Sequence, residues 1–271
     1  MRIYAVIGIT LGLLTLTRPE FLYLALAMAG VQVLRALVAG PAQRAYAWRG
    51  GALLVAGLVG VVGPWLYRNH TVFGDVALTS TYAGRTLAQR VQYNRMSGAE
   101  LACSFVYWLP DFGDSLARRM LPSECYRRLD FGPGSYYDDA SALYQQRLRE
   151  AGGEAAVVRH LLQRDVLAQP VQHALTTLAL AWRGLFVAKL WGLIAVLALC
   201  VVLATRPRLR RPLIVSSAPA WFMLLLYAAV SVAIPRYSIC FIPTFSLALA
   251  GLVTRRAAPP GDALGRTLRA G

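Results

Sequence analysis

Several apolar runs in this chain are long enough to cross the roughly 30 Å hydrocarbon layer of a bilayer as helices, and this constrains the fold more than any motif does. Lipid offers a bare backbone no hydrogen-bond partners, so each run must be helical. The runs lie near 3–17, 21–39, 51–66, 185–204, 213–234 and 237–254. Composition agrees, with 57% hydrophobic and 15% charged residues and a mean hydropathy of +0.48. The expected fold is an all-α polytopic membrane protein of about six transmembrane helices. Three lie in residues 1–66 and three in 185–254, with a small helical outer domain over 67–184 between the third and fourth, and a tail over 255–271.

Basic residues in short loops mark the cytoplasmic side. Arg44 and Arg49 follow the second run, Arg206, Arg208, Arg210 and Arg211 the fourth, and Arg255, Arg256, Arg266 and Arg269 the sixth. Those stretches are expected inside, which puts 67–184 outside and the C-terminus inside. The thirteen arginines of the long segment are no objection, because long loops translocate largely regardless of charge. Eleven acidic residues leave that segment near +2, so most of the formal +15 is a topology signal. It forms no basic groove with interleaved aromatics, and nucleic acid is not an expected partner. The first run opens like a signal peptide, yet "LTLTRPEF" offers no small-x-small cleavage site and a second run follows at once. At 1.5 Å per residue it reaches only about 22 Å, short for a complete span. Either it continues a segment that precedes it, or it stops part-way with Arg18, Pro19 and Glu20 at its outer end.

The outer segment reads as helices without competing strand alternation. Ser97 with Glu100 three residues on is a capping box, opening a helix with Leu101, Phe105 and Trp108 on one side that closes before Pro110. Asp114 is a candidate cap for a short helix over "SLARRML", and Asp138 or Asp139 for one over "ASALYQQRLRE" that stops at Gly152 and Gly153. "EAAVVRHLLQRDVL" is amphipathic through Val158, Leu161, Leu162 and Val166, and Pro170 starts a further helix. Cys200 and Cys240 fall in spans and read as small apolar residues. Cys103 and Cys125 both lie in the outer segment, where the compartment permits a disulfide, and are the candidate pair.

No P-loop, GxGxxG, HExxH, CxxC or GxSxG occurs, and His70, His160 and His173 lie far apart in sequence. No cofactor and no metal are therefore expected. What remains is a set of ionisable residues at the outer membrane boundary: Arg18 and Glu20, Arg68, Lys189, and Arg236. Arg and Lys at helix ends commonly snorkel to lipid headgroups, and Lys189 taken alone is expected to do so. The alternative is a shared anion site, for which a lipid phosphate is the natural ligand because the guanidinium fork matches phosphate oxygens.

Three blocks then carry a resemblance. "GITLGLLTLTRPEFLYLAL", "GPWLYRNHTVFGDVALTSTYAG" and "IPRYSICFIPTFSLALAGL" resemble, in order and spacing, the later half of the bacterial GT-C glycosyltransferases that use polyprenyl-phosphate sugars. These include the family 39 protein mannosyltransferases and the aminoarabinose transferases. The resemblance implies a transferase in the bacterial cytoplasmic membrane, moving a sugar from a polyprenyl-phosphate carrier to an acceptor at the outer face. It assigns the carrier phosphate to Arg68 and Arg236 with Arg18 in support, makes Asn69 and Tyr237 hydrogen-bond partners, and lets Glu20 orient Arg18 or meet sugar hydroxyls. Pro64 and Trp65 end the third helix with an aromatic anchor on this reading. The family's general base lies in an outer loop after its first span, and no residue here matches it. The chain is thus expected to be the C-terminal half of such an enzyme, inactive alone, with an N-terminal half or partner subunit supplying the base. The alternatives are a non-catalytic membrane subunit that binds lipid-phosphate carriers and, less well supported, a transporter, for which no charged residue marks a mid-span pathway.

Overall fold

A computed structural model describes residues 1–74, 76–78 and 83–254. Every regular element among the described residues is a helix, with no strand among them. Four helical stretches are long and apolar enough to cross a membrane: Phe21–Val38, Pro41–Phe73, Pro207–Val230 and Pro235–Val253. Arg2–Thr17 and Leu190–Thr205 are apolar but only 16 residues each. The expected tail over 255–271, with its four arginines, lies outside the described residues. The chain divides into two compact units, Met1–Tyr82 and Ala83–Gly271.

The first unit consists of α1 (Arg2–Thr17), α2 (Phe21–Val38) and α3 (Pro41–Phe73). Helices α1 and α3 pack in parallel, because Tyr4 meets Gly50, Gly8 meets Leu54, and Gly12 meets Leu58 and Val61, with numbers rising together. Gly8 is where the backbones approach most closely: a Cβ there would collide with the Leu54 carbonyl oxygen. Small residues permit this approach in membranes, where apolar burial gives helices little reason to associate. Arg44, in the first turn of α3, turns back to donate Nε–H to the Ala36 carbonyl at 3.1 Å, covering one of the open carbonyls at the end of α2.

Helix α3 does not end at Pro64 and Trp65 as expected. It continues to Phe73 and stops at Gly74, whose φ of 70° is the left-handed conformation that terminates helices readily. Proline removes only its own N–H bond, and membrane helices accommodate it. At 1.5 Å per residue the 33-residue helix is about 50 Å long and outreaches the hydrocarbon layer. Exposed aromatics mark two levels along it, Tyr46 with Trp48 and Trp65 with Tyr67. The two tryptophans stand roughly 25 Å apart along the axis, as interfacial belts on a bilayer would.

The second unit begins with helices that the sequence reading only partly anticipates: α4 (Ala83–Gln92), α5 (Gly98–Tyr107), α6 (Gly113–Met120), α7 (Tyr136–Ala151), α8 (Glu154–Leu161) and α9 (Pro170–Gly184). The capping box at Ser97 and Glu100 is present, Ser97 Oγ accepting from the Glu100 N–H and the Glu100 carboxylate from the Ser97 N–H. The buried side of α5 carries Glu100 and Ser104, while Phe105 stays exposed, since the Glu100 carboxylate is drawn inward by the Tyr136 hydroxyl at 2.9 Å. Asp114 sits in the first turn of α6 rather than capping it, and Ser135, not Asp138 or Asp139, caps α7. Gly152 ends α7 at φ 70°. Leu87, Ala88 and Val91 of α4 share a core with Leu143, Val157 and Leu161, against which Val158 and Val166 pack. Leu162 is exposed because a π-helical turn over Leu162–Leu167 widens the spiral and rotates it off the apolar face.

The unit closes with α10 (Leu190–Thr205), α11 (Pro207–Val230), a 3₁₀ stretch over Pro235–Phe241 and α12 (Ile242–Val253). Only Arg206 separates α10 from α11, so Arg208, Arg210 and Arg211 are helical and not loop residues. Arg210 donates to the Leu203 and Ala204 carbonyls, closing the end of α10 as Arg44 closes α2. The 3₁₀ stretch runs antiparallel to α11, with Tyr237 stacked on Tyr227 at 4.7 Å and Phe241 edge-on to Trp221 at 5.0 Å.

Candidate functional site

Within the first unit the parallel register of α1 and α3 determines where the boundary cations fall. Extending the pairing of residue 4 with 50 and 12 with 58 and 61 brings the level of Arg18 to that of residues 64–67 of α3, within a turn of Arg68. Arg18 and Arg68 therefore occupy one end of the same three-helix unit. Arg68 is exposed, its Cζ 5.2 Å from the Trp65 ring and 5.6 Å from the Phe73 ring. A guanidinium held over ring faces keeps most of its in-plane donors unspent. Among the described residues its one hydrogen bond is a long one, Nη1 to Asn69 Oδ1 at 3.4 Å. Asn69 itself is buried and donates to the Ala77 carbonyl at 2.8 Å, so it fastens the chain leaving α3 while facing Arg68 with its oxygen. Glu20 is half-buried at the start of α2 and makes no side-chain cap.

Arg236 and Tyr237 belong to the second unit, at the turn between α11 and α12. Arg236 is exposed with its Cζ 5.5 Å from the Tyr237 ring. The preceding Ala233 is buried with φ 41°, a left-handed conformation that costs a non-glycine residue strain.

Lys189 is not simply a snorkelling cation. Its Nζ lies 3.3 Å from Asp111 Oδ1, and Asp111 Oδ2 accepts the Leu190 N–H at 3.0 Å, capping α10. Both residues have positive φ, 63° for Asp111 and 54° for Lys189. Cys103 and Cys125 are joined as a disulfide with Cα atoms 6.0 Å apart, tying α5 to the segment after α6.

Arg90 was not visible as a site residue in the sequence. It is completely buried, with no carboxylate among its partners in the described residues. Its Nε donates to the Ala228 carbonyl at 2.6 Å, Nη1 to Asn94 Oδ1 at 2.8 Å, and Nη2 to the His173 carbonyl and the Thr176 and Thr177 hydroxyls at 2.7–2.9 Å. Ala228 lies in the last turn of α11, where carbonyls lack helical partners and the dipole favours a cation. One side chain thus fastens α4 and α9 to the end of a membrane-length helix. Burial lowers the Arg90 pKa to about 9, which leaves it charged at neutral pH. Burial first, and then the Arg90 charge, hold the His173 imidazole down at about 4, and its Nδ1 lies 3.2 Å from the Asn94 amide. The sequence signal for this hub is a polar pair four residues apart, Arg90 and Asn94, running out of the apolar face formed by Leu87 and Val91. An open depression beside it, of about 580 Å³, is lined by Asn94, Met96 and residues 168–172, none of them titratable, so it offers no anion chemistry.

Among the described residues no group of three or more His, Cys, Asp or Glu is placed to hold a metal ion. Comparison of the chain with protein-family models, curated proteins and solved structures finds no match. Fold and composition define the class at this level: an all-helical protein with several membrane-length helices.

Proposed function

We propose that the chain binds the phosphate of a polyprenyl-phosphate-linked sugar at the outer face of a bacterial cytoplasmic membrane and serves in transferring that sugar to an acceptor there, as a membrane glycosyltransferase. The observation that carries the reading is the end of the first unit, where Arg18 falls within a turn of Arg68 and Arg68 is presented between two rings with one long hydrogen bond among the described residues. A lipid phosphate needs a cation at the headgroup level and apolar surface below it, and this end of the unit supplies both. The Cys103–Cys125 disulfide supports placing the helices after α3 on the oxidising side of the membrane. Arg236 joins the reading through the topology that the basic loops imply, and the six-span count belongs to it equally.

A second reading, a carrier-binding subunit without its own base, is favoured by how the outer carboxylates are used. Asp111 caps α10, Asp139 pairs with Arg128 at 2.8 Å, Glu100 serves Ser97 and Tyr136, and Glu154 accepts from the Gly84 N–H and the Tyr144 hydroxyl. The chain in nanodiscs, titrated with a polyprenyl phosphate and followed by native mass spectrometry, tests the common core of both readings. Saturable binding that weakens about tenfold in Arg68→Lys, where charge is kept but the fork is lost, is the expected result. Equal binding by the wild type and an Arg18→Ala, Arg68→Ala double variant would remove the phosphate site. Sugar transfer to acceptor by the same preparation separates enzyme from subunit.

A further inference from the structure

A second arginine in the second unit is buried, like Arg90, yet lacks what Arg90 has. Arg183, in the last turn of α9, is 8% exposed and takes part in none of the ion pairs among the described residues. Its Cζ is held 5.1 Å from the Trp108 ring and 4.7 Å from the Phe131 ring. Among the described residues its Nη1 makes no well-aligned hydrogen bond, and neither do two other buried polar atoms, Trp108 Nε1 and the Tyr93 hydroxyl. The Tyr93 ring lies 6.1 Å from that of Trp108, and its phenol, raised by burial above the ordinary tyrosine range, is opposed in this by the Arg183 charge beside it. Arg183 and Tyr93 thus face one another closely, and the Tyr93 hydroxyl oxygen is the neutral group beside the guanidinium that can accept from it.

Two N–H donors, a hydroxyl that can donate or accept, and one positive charge lie together, and among the described residues no carboxylate pairs with the arginine. Contact with two ring faces compensates part of the charge and none of the N–H and O–H bonds lost on burial. A water molecule would satisfy donors and leave the charge uncompensated; an anionic oxygen satisfies both. The outer wall is Phe131, 49% exposed, on the irregular stretch between Leu129 and Ser135 rather than on a helix. Its ring, which also meets that of Tyr137 edge-on at 5.2 Å, is the covering group that belongs to no helix. The apolar helix α10 begins at Leu190 a few residues beyond Arg183, and Trp191 there is exposed.

We infer that Arg183, Trp108 and Tyr93 form a binding site for a phosphate group beneath Phe131, separate from the Arg18 and Arg68 end of the first unit. The chemistry is shared by a phospholipid headgroup and a soluble phosphate, and the two are distinguished by experiment. A chain of formal charge +15 gathers anionic lipid at its basic loops whether or not this site exists. The informative readout is therefore a variant that removes one donor and no charge: Trp108→Phe keeps the ring and deletes Nε1–H. Thermal stability and native mass spectra would be recorded for the full chain in phosphatidylcholine nanodiscs, with and without inorganic phosphate, and in nanodiscs containing phosphatidylglycerol. The site predicts a stabilising increment that is about tenfold weaker in apparent affinity in Trp108→Phe, roughly a hundredfold weaker in Arg183→Gln, and retained with faster exchange in Phe131→Ala. An increment with inorganic phosphate identifies a soluble ligand; one confined to phosphatidylglycerol identifies a headgroup. No increment from either source, or one equally large in Trp108→Phe and Arg183→Gln, overturns the site. These residues belong to the second unit and Arg68 to the first, so Arg183→Gln and Arg68→Ala are assayed as separate variants.

Discussion

Replacing Arg90 by methionine keeps the length of the side chain and removes every hydrogen bond of the guanidinium. Five contacts are lost, to Ala228, Asn94, His173, Thr176 and Thr177. Hydrogen bonds to a charged group contribute on the order of 1.5–3 kcal/mol each, but they do not add here. The Thr176 hydroxyl still reaches Asn94 Oδ1 and the Thr177 hydroxyl still reaches the His173 carbonyl, so the one acceptor fully stranded is Ala228. Removing a buried charge that has no carboxylate also relieves its desolvation. The net cost of Arg90→Met is then about 3 kcal/mol, and Arg90→Lys should be no better, since an ammonium keeps the charge but cannot span acceptors on α4, α9 and α11. The assay is denaturant unfolding of the solubilised chain followed by tryptophan fluorescence, with Trp108 and Trp182 reporting on the second unit. A loss under about 1 kcal/mol in Arg90→Met, or full rescue by lysine, would refute the claim that geometry rather than charge makes this residue the fastener.

Three other outcomes follow from the same structure. His173 binds its proton near pH 4 when folded against about 6.5 when unfolded, so the unfolded chain holds more protons between those values; stability should fall as pH drops from 6.5 toward 4, and His173→Gln should flatten that slope. Reducing Cys103–Cys125, or replacing both by serine, should cost the second unit about 3 kcal/mol by the chain-entropy argument for a separation of 22 residues, read as a lower unfolding midpoint. Gly8→Leu should force α1 off α3 and expose the first unit to protease, whereas substitution at Gly30, which meets nothing within 4 Å, should leave the digestion pattern unchanged.

The helices were legible in the sequence where one solvent acts on the whole segment. Lipid demands helix from every apolar run, so α1, α2, α10 and α12 fall close to their expected places, and Ser97 with Glu100 announces α5 through local chemistry alone. Boundaries failed where a stop signal and a hydropathy change disagree: Pro64 looked like an end, but the left-handed glycine ten residues on is what terminates α3. The Leu162 assignment failed because a π turn breaks the 3.6-residue period that the pattern assumes. Candidate site residues were recognisable singly, as arginines at helix ends. Their arrangement was not, because the α1–α3 register depends on which glycines admit a backbone. Arg90 and Arg183 were invisible for a different reason, since burial of an arginine among these short helices is decided by partners 83–138 positions away or by ring faces from distant segments.

The measurement closest to the central claim maps where a carrier lipid touches this chain. A photoactivatable polyprenyl phosphate, crosslinked in native membranes and located by peptide mass spectrometry, should label the turn around Arg18 to Glu20 and the end of α3 from Trp65 to Phe73. Excess unlabelled polyprenyl phosphate should compete that labelling away, and Arg68→Ala should abolish it. Labelling spread along the lipid-exposed faces of α10, α11 and α12, indifferent both to competitor and to Arg68→Ala, would contradict the account and leave these arginines as headgroup anchors.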